Sequence, residues 1–393
     1  MQTKIFIMYF YILFLSFIFI SCANIASPTG GEGKNKVPTI IKCSIDNETI
    51  NFNKKEIEIE FNNYMNRTSV IENIGIFPKI KYNYKWKGKK LIIYFNENLL
   101  ENTTYSFQIT ANYKDYYDIS PQETFFIVFA TGDNIDNGQI SGNLIGNQNK
   151  NGINVFVYNI TKINANNINY YTDEPDYKTI IGTNGKFIIP ALKDGKYRII
   201  IVEDNDKNGL ITANIDNIGI PCFDPTLING KQESEINIII NKELLKKDTI
   251  NKENDINKIH QQDTITKQDS NISKQEEFLI VSGIIPQYDT LKKYGNILLV
   301  FYNDKEENIV EIDKEGKFKF DKAKVETYNI LFFVDSNNNN KFDKGKLIPF
   351  EHCELFFPAE QMLKIRKNWN ITDFIISTKY KFDNHIFYPQ NNK

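Results

Sequence analysis

The sequence predicts an all-β protein built from three sandwiches, and three observations support this prediction. Tyrosine (21) and phenylalanine (29) are abundant, and together with isoleucine these residue types favour half-buried strands. Short runs such as Glu56–Phe61 alternate charged and apolar residues, which is the pattern of a strand with one buried face. A motif from the middle of the chain also returns near the C-terminus, which indicates a duplicated β-module.

Length and charge restrict the classes of function. A chain of 393 residues corresponds to two to four domains of about 100–150 residues each. The formal net charge of −2 gives no electrostatic support for nucleic-acid binding, which requires concentrated basic surface. The three histidines, His260, His352 and His385, weigh against histidine-based hydrolase or zinc chemistry.

Residues 1–21 have the pattern of a signal peptide and predict an N-terminal signal helix. Lys4 precedes the apolar run Ile5–Ile20, which Ser16 alone interrupts. A run of this length suits a secretory signal better than a membrane span, which needs about 20 apolar residues. The small residue Ser21 then marks a cleavage point before Cys22.

The Ser21-Cys22 pair resembles a bacterial lipobox, which implies that Cys22 becomes the acylated, palmitate-bearing first residue of a mature lipoprotein. Residues 22–36 are rich in Gly, Pro, Ser and Asn and suit a flexible tether. Two or more acyl chains give durable membrane attachment. Ala23 and Asn24, rather than Asp, follow Cys22, and no acidic export patch is present. We therefore expect the protein at the periplasmic face of the outer membrane, with the cell surface as the alternative. An ordinary signal peptide with an incidental cysteine is the competing interpretation.

The other cysteines, Cys43, Cys222 and Cys353, form an odd set, which argues against a disulfide framework. Cys222 and Cys353 fall at matching places in two separate copies of the repeat, so we do not expect them to pair within one module. Small buried apolar positions are the predicted role.

Residues 37–132 form the first predicted domain, with several short strands separated by polar turns, as in a β-sandwich. Its landmarks are Ile57-x-Ile59-x-Phe61, Met65, Val70, Pro78, Trp86-x-Gly88, Leu91-x-Ile93, Thr103-Thr104-Tyr105-x-Phe107 and the closing Phe129-Ala130-Thr131-Gly132. With these landmarks the region resembles the SbsA-type bacterial Ig-like domain, which is common in lipoproteins of the Bacteroidetes group. The resemblance implies a structural or binding module without catalytic residues, and Trp86 and Tyr105 are expected in its core.

Residues 137–241 form the second predicted domain, in which Gly185-Lys-Phe187, Leu192 and Gly195-Lys-Tyr197 resemble a carboxypeptidase-regulatory or transthyretin-like β-sandwich. The family is generally non-catalytic. Gly195 is expected to supply a positive φ for a tight connection. Tyr197 is expected to bury its ring while its hydroxyl finds a backbone partner.

Residues 278–382 form the third predicted domain, a divergent copy of the second. Five landmarks recur at an offset of 131: Gly185 to Gly316, Phe187 to Phe318, Tyr197 to Tyr328, Asp204 to Asp335 and Cys222 to Cys353. Residues 242–277, between the copies, carry mixed charges without a sustained apolar face and predict a disordered or partly helical linker. Residues 383–393 are expected to form a frayed tail.

Two loops rich in Asp and Asn are the candidate metal sites. The first places Asp204, Asp206 and Asn208 at positions 1, 3 and 5, with Gly209 at position 6, like the opening half of a calcium loop. Neither loop has the expected Glu at position 12, so turns in which Asp and Asn bond to their own backbone are the preferred interpretation. Weak calcium binding is the alternative. The second loop carries Asp335, Asn337, Asn339 and Asp343.

These features predict a non-enzymatic envelope lipoprotein that acts as a structural spacer or as a binding module. Its expected partners are the membrane, reached through Cys22, and an envelope protein or glycan, but not nucleic acid. A surface adhesin with weakly calcium-stabilised loops is the main alternative. A hydrolase using carboxylate pairs such as Glu203/Asp204 or Asp115/Asp118 is the least favoured, because adjacency in sequence does not place two carboxylates across a cleft.

Overall fold

The described part of the chain is built almost entirely from β-strands. The computed structural model describes residues 36–146, 152–241 and 278–378. The predicted all-β fold class is therefore confirmed. The signal peptide, Cys22 and the tether up to residue 35, the linker 242–277 and the tail 383–393 lie outside the described residues.

The first sandwich, residues 37–132, consists of two sheets. Its strands are β1 (Ile40–Cys43), β2 (Glu56–Phe61), β3 (Ile74–Phe77), β4 (Tyr82–Lys87), β5 (Lys90–Phe95), β6 (Thr104–Ile109) and β7 (Phe125–Ala130), and helix α1 (Arg67–Glu72) follows β2. One sheet has the order β1-β2-β5-β4 and the other β3-β6-β7. The alternation predicted for β2 is observed, because its apolar residues are buried and its glutamates are half-buried.

The two aromatic residues predicted in this core differ in burial. Tyr105 is 1% exposed and stacks on Phe129, with ring centroids 5.5 Å apart. Trp86 is half-buried at the edge of the core and stacks on Phe61 at 5.8 Å. Both therefore contribute apolar surface to the sandwich, Tyr105 from the centre and Trp86 from the margin.

The second sandwich, residues 137–241, has one continuous path of strands. The strands are β8 (Gly138–Ile145), β9 (Ile153–Asn159), β10 (Tyr177–Ile180), β11 (Lys186–Leu192), β12 (Gly195–Glu203), β13 (Asn217–Gly219), β14 (Thr226–Leu227) and β15 (Gln232–Asn241), with a 3₁₀ turn at Ala165–Asn167. The order is β10-β9-β12-β13-β15-β8-β11, and β14 pairs with β12. The β15–β8 pair is parallel. Apolar side chains from these strands form one core.

The third sandwich, residues 278–378, has a counterpart for each strand of the second, but its described residues show no pair equivalent to β13–β15. It contains β16 (Leu279–Ile284), α2 (Tyr288–Leu291), a 3₁₀ turn (Lys292–Tyr294), β17 (Ile297–Tyr302), β18 (Glu307–Val310), β19 (Lys317–Ala323), β20 (Thr327–Val334), β21 (Phe356–Pro358), β22 (Leu363–Lys364) and β23 (Ile371–Ile375). The sheets have the orders β18-β17-β20-β21 and β19-β16-β23. The β16–β23 pair is parallel, like β8–β15. The order of the paired strands within each of these two sheets therefore resembles that in the second sandwich.

The offset between the two copies is not constant, and one predicted correspondence is wrong. Ile201 on β12 pairs with Gly219, and Phe332 on β20 pairs with Phe357. Ile201 and Phe332 differ by 131 residues, whereas their partners Gly219 and Phe357 differ by 138. The third sandwich therefore has seven extra residues between β20 and β21. Cys222 and Cys353 consequently occupy different structural positions, although their numbers differ by 131.

Gly195 and Tyr197 illustrate one wrong and one confirmed expectation. Gly195 does not adopt a positive φ; a Cβ there would lie 2.3 Å from Thr161 Oγ1, so the Thr161 hydroxyl packs against this glycine. Tyr197 is fully buried, and its hydroxyl donates to the Lys193 carbonyl at 2.7 Å, as expected. Gly185 and Gly316 have the same positive φ of 80° at the equivalent turn.

A second glycine pair marks a close approach between parallel strands. Gly142 on β8 faces Phe187, and Gly283 on β16 faces Phe318, so these two glycines are equivalent. A Cβ would lie 2.4 Å from the Ile236 carbonyl at Gly142 and 1.8 Å from the Phe374 carbonyl at Gly283. The parallel strand bulges beside each glycine. Both copies therefore need glycine where the strand passes closest.

Candidate cation-binding loops and the junction between sandwiches

The first candidate loop, Asp204–Asp216, is a compact turn held by its own side chains. Asp204 accepts hydrogen bonds from the backbone of Asn208 at 3.1 Å and of Gly209 at 2.9 Å. Lys207 and Gly209 adopt left-handed φ values of 59° and 76°. These are the backbone-capping contacts expected for an Asp- and Asn-rich turn.

Three carboxylates converge in this loop. Oxygens of Asp204, Asp206 and Asp216 lie within 4.8 Å of one another. Asp216 is 3% exposed and accepts from the backbone of Asn205 at 2.8 Å and of Thr212 at 2.7 Å. Asp216 is not among the ligands predicted from the sequence, because it lies one position beyond the expected position 12 of a calcium loop.

Polar groups around the cluster offset part of its charge. Asp206 accepts from the Thr212 hydroxyl and the Asn208 amide, each at 2.9 Å. Desolvation raises the pKa of Asp206, but hydrogen bonds from the Thr212 hydroxyl and the Asn208 backbone, among others, together outweigh it and lower the pKa overall. Lys178 donates to the Gly209 carbonyl at 2.9 Å and brings an ammonium group close to the loop. Calcium binds carboxylate and carbonyl oxygens of this kind, so the first loop offers suitable ligands.

The second candidate loop, Asp335–Glu354, repeats the backbone of the first. Asp335 accepts from the backbone of Asn339 and of Asn340, each at 3.1 Å. Asn338 and Asn340 have left-handed φ values of 57° and 55°, at the positions of Lys207 and Gly209. The turn geometry has therefore been retained in both copies.

The centre of the second loop differs from that of the first. The amide groups of Asn337 and Asn339 both donate to one Asp343 oxygen, at 2.7 and 2.9 Å. One Asp206 oxygen of the first loop likewise accepts from the Asn208 amide and the Thr212 hydroxyl, so this feature does not separate the two loops. The difference is that three carboxylates converge in the first loop, which makes it the better cation site of the two.

Glu354 is the structural counterpart of Asp216, at the offset of 138. It is 7% exposed and accepts from the backbone of Ser336 at 2.8 Å and of Asp343 at 3.2 Å. Burial raises the pKa of Glu354, and these two N–H donors only partly oppose that shift. Both copies therefore close the loop with one buried carboxylate that bridges two backbone donors.

The carboxylate pairs considered for hydrolysis have structural roles. Asp115 is 1% exposed and accepts from the backbone of Tyr117 at 2.8 Å and of Ile119 at 3.0 Å, while exposed Asp118 pairs with Lys114 at 3.5 Å. Glu203 accepts from the Asn217 amide at 2.9 Å. A groove of about 690 Å³ lies between β18 and β19, lined by residues 307–313 and 317–322. None of these paired carboxylates, and none of the predicted metal ligands, lines this groove.

The turn organised by Asp115 displays a group of tyrosines. The Tyr116 backbone donates to the Tyr64 carbonyl at 2.9 Å. Tyr64, Tyr116 and Tyr117 are 62%, 76% and 70% exposed. A buried aspartate thus organises a turn that carries exposed tyrosines.

The second and third sandwiches share buried apolar clusters. We call residues 345–353, which lie in the lengthened part of the third sandwich, the junction segment. Its Leu347 and Phe350 pack among Phe156, Tyr158 and other apolar residues of the second sandwich. In the other direction, Ile239 of the second sandwich packs against Leu298, Val300 and neighbouring residues of the third.

A buried ion pair lies beside the junction segment. Arg198 and Asp224 form a two-point pair, with Nε–Oδ1 at 3.2 Å and Nη2–Oδ2 at 2.7 Å. Arg198 also donates to the Tyr170 hydroxyl at 2.7 Å and lies 3.6 Å from the ring centroid of Phe350. Burial raises the pKa of Asp224, but the hydrogen bonds and charges of His352 and Arg198 together bring it below the usual range.

Comparison with known proteins assigns the first sandwich to a fold class. Residues 34–131 match the Big_5 family, described as a bacterial Ig-like domain. The match coincides with the first sandwich and confirms its predicted Ig-like character. Among curated proteins, none matches this chain. Within the described residues, no helix is both long and apolar enough to cross a membrane.

Similar solved structures include bacterial surface proteins at low identity. The N-terminal part of the bacterial S-layer protein SbsC is 12% identical with a TM-score of 0.20, and the match covers 42% of this chain and 40% of that chain. A streptococcal ancillary pilin is 11% identical with a TM-score of 0.18, covering 76% and 81%. Escherichia coli alpha-2-macroglobulin, spanning domains MG0-NIE-MG1, is 11% identical with a TM-score of 0.20, covering 77% and 95%.

Proposed function

We propose that this chain is a non-enzymatic envelope lipoprotein, acylated at Cys22, that holds β-sandwiches at the periplasmic face of the outer membrane as a spacer or binding module. The signal-like segment ending at Ser21-Cys22 supports the anchor. The match of residues 34–131 to a bacterial Ig-like domain supports a structural module. The transthyretin-like character of the second and third sandwiches is part of the same proposal.

The junction between the second and third sandwiches is the observation that carries the spacer role. A spacer has to keep its modules at a fixed separation, and shared buried clusters with a buried ion pair provide that constraint. Contacts of this kind resemble a continuous core more than the polar interface of freely moving domains.

Acylation and location are tested together with a Cys22→Ala variant. The full chain should incorporate labelled fatty acid and sediment with the outer membrane, while Cys22→Ala should carry no label and leave the membrane fraction. Cys43→Ala is the matched control and should keep both the label and the location. Unlabelled wild-type protein, or a Cys22→Ala variant that stays in the outer membrane, would contradict the anchor.

The binding role is tested by co-purifying the lipidated chain from envelopes. The exposed tyrosines predict that Tyr116→Ser combined with Tyr117→Ser reduces recovery of an envelope protein or glycan. Tyr84→Ser, which changes an exposed tyrosine on β4, should leave recovery unchanged. Repeated purification without any partner would argue for a spacer that binds nothing.

A surface adhesin with calcium-stabilised loops is the second candidate, because three carboxylates converge in the first loop. Protease treatment of intact cells separates the two locations. Digestion of the sandwiches on intact cells supports the adhesin, and protection until the outer membrane is opened supports the periplasmic location. A carboxylate-based hydrolase has no comparable support, since the candidate pairs bond to the backbone or to neighbouring side chains.

A further inference from the structure

Cys222 and Cys353 are brought together by the residues that flank them. His352, which precedes Cys353, donates from Nδ1 to the carbonyl of Pro221, which precedes Cys222, at 3.0 Å. His352 Nε2 also lies 3.5 Å from Asp224 Oδ2, two residues beyond Cys222. These contacts fix the two cysteine-bearing segments beside each other.

The two thiols also pack in the same apolar cluster. Cys353 is 4% exposed, and half-buried Cys222 packs against the cluster that contains it. Gly345 allows this close packing, since a Cβ there would lie 3.0 Å from the Cys353 nitrogen and 3.1 Å from Ile220 Cβ. Both cysteines are free thiols in this structure and pack among apolar residues, as expected, but the sequence did not predict that their two segments meet.

We propose that Cys222 and Cys353 form a disulfide that covalently joins the second and third sandwiches. The oxidant is an external disulfide, such as oxidised glutathione or a disulfide-carrying oxidoreductase. The two protein thiols lose two electrons and two protons, one sulfur–sulfur bond forms between them, and the oxidant's sulfur–sulfur bond is reduced to two thiols.

The burial of the two thiols sets the order of the steps. Cys222 is the more accessible, so its thiolate attacks the oxidant and forms a mixed disulfide with release of one thiol. Burial and the neighbouring Cys222 raise the pKa of Cys353 well above its usual value. Cys353 therefore acts second: it loses its proton, attacks the Cys222 sulfur and expels the remaining thiol. A disulfide of this kind persists in an oxidising compartment, which the proposed envelope location provides.

Peptide mapping of the full-length chain tests the bond directly. Reduced protein is incubated with oxidised glutathione, its remaining thiols are alkylated after unfolding, and it is digested without reductant. The expected result is a linked peptide joining Cys222 to Cys353, the loss of two alkylatable thiols per chain, and alkylated Cys43. The absence of the linked peptide, a persistent glutathione adduct on Cys222 with Cys353 still alkylatable, or equal linkage to Cys43 would overturn the proposal.

Thermal unfolding of variants gives a second readout. Because the bond closes a long loop, reduction should lower the Tm of the wild-type chain by roughly 4–16 °C. Reduction should not shift the Tm of Cys222→Ala, whereas Cys43→Ala should behave like the wild type. A reductant-sensitive Tm that persists in Cys222→Ala would count against the bond. Both readouts use purified protein and do not depend on where the protein is located in the cell. Failure of the disulfide proposal can therefore be told apart from failure of the proposed envelope location.

Discussion

Asp224→Ala tests whether burial or distance determines the strength of an ion pair in this protein. Arg198 and Asp224 approach to 2.7 Å, and Lys79 and Glu174 approach to 2.5 Å. Their side-chain exposures differ greatly: 9% and 3% for the first pair, 79% and 67% for the second. The two pairs therefore have similar closest distances in very different surroundings, and only the buried pair has a second contact.

The expected costs follow from this difference. Removing Asp224 leaves the Arg198 guanidinium buried against Phe350 without its carboxylate, which should reduce the free energy of unfolding by about 3–5 kcal/mol. Water reaches both ends of the Lys79–Glu174 pair, so Glu174→Ala should cost about 0–1 kcal/mol. For a cooperative unit of this size, the corresponding Tm shifts are roughly 6–20 °C and at most about 4 °C.

Urea unfolding followed by circular dichroism measures both costs, with the slope of the transition checked for each variant. Combining Arg198→Met with Asp224→Leu should recover most of the loss, because no unpaired buried charge remains. If Asp224→Ala costs no more than Glu174→Ala, burial does not govern these pairs and the reasoning is refuted.

Three further predictions concern pH, calcium and close packing. The folded-state pKa of Asp224 is below its ordinary value, so the stabilising effect of this carboxylate is complete above about pH 4 and is lost as the pH falls through the folded pKa. The wild type should therefore lose its stability advantage over Asp224→Asn in acid. A stability difference that does not depend on pH would contradict this. If the first loop binds calcium, calorimetry should detect a dissociation constant of about 10⁻⁴–10⁻³ M. Asp206→Asn should weaken this binding, and Asn337→Ala should leave it unchanged. No binding heat, together with the same Tm in calcium and in EDTA, would rule out the site. Gly283→Ala should cost about 1–3 kcal/mol in urea unfolding, because its Cβ would meet the Phe374 carbonyl. The control Gly88→Asn should change stability little, because its turn is open and its φ of 61° suits asparagine. Equal costs for the two variants would refute the packing argument.

The strands could be predicted from the sequence because their signals are local. Ile57, Ile59 and Phe61 alternate with glutamates, and the structure buries these three residues in β2. The repeat of Tyr197 as Tyr328 was also recognisable, and both side chains are fully buried. In each case burial on one face of a strand leaves a direct trace in residue order.

The loop carboxylates and the cysteine pair depend on contacts that residue order does not record. Asp216 and Glu354 perform the same role at an offset of 138, whereas the sequence search followed an offset of 131. Because the third sandwich has seven additional residues, the constant offset of 131 does not align Asp216 with Glu354. The same offset wrongly aligns Cys222 with Cys353. Strand pairing was needed to find the change in register.

The junction segment therefore gives the clearest test of whether the second and third sandwiches act as one unit. Leu347 is 7% exposed and packs into the second sandwich, while its neighbour Ile348 is 62% exposed. Leu347→Ala should cost about 2–5 kcal/mol through the lost apolar contact and the cavity that remains. Ile348→Ala, the matched control, should stay within about 0.5 kcal/mol of the wild type.

Amide hydrogen exchange identifies the strands that the Leu347 side chain stabilises. If the junction couples the two sandwiches, Leu347→Ala should accelerate amide exchange in β9 and β12 of the second sandwich as well as in the third, because Phe156 and Ile200 on those strands belong to the cluster that Leu347 joins. Acceleration confined to residues 278–378 would mean that the cluster fills space without transmitting stability. The spacer role would then lose its physical basis, since the junction would not hold the two sandwiches at a fixed separation.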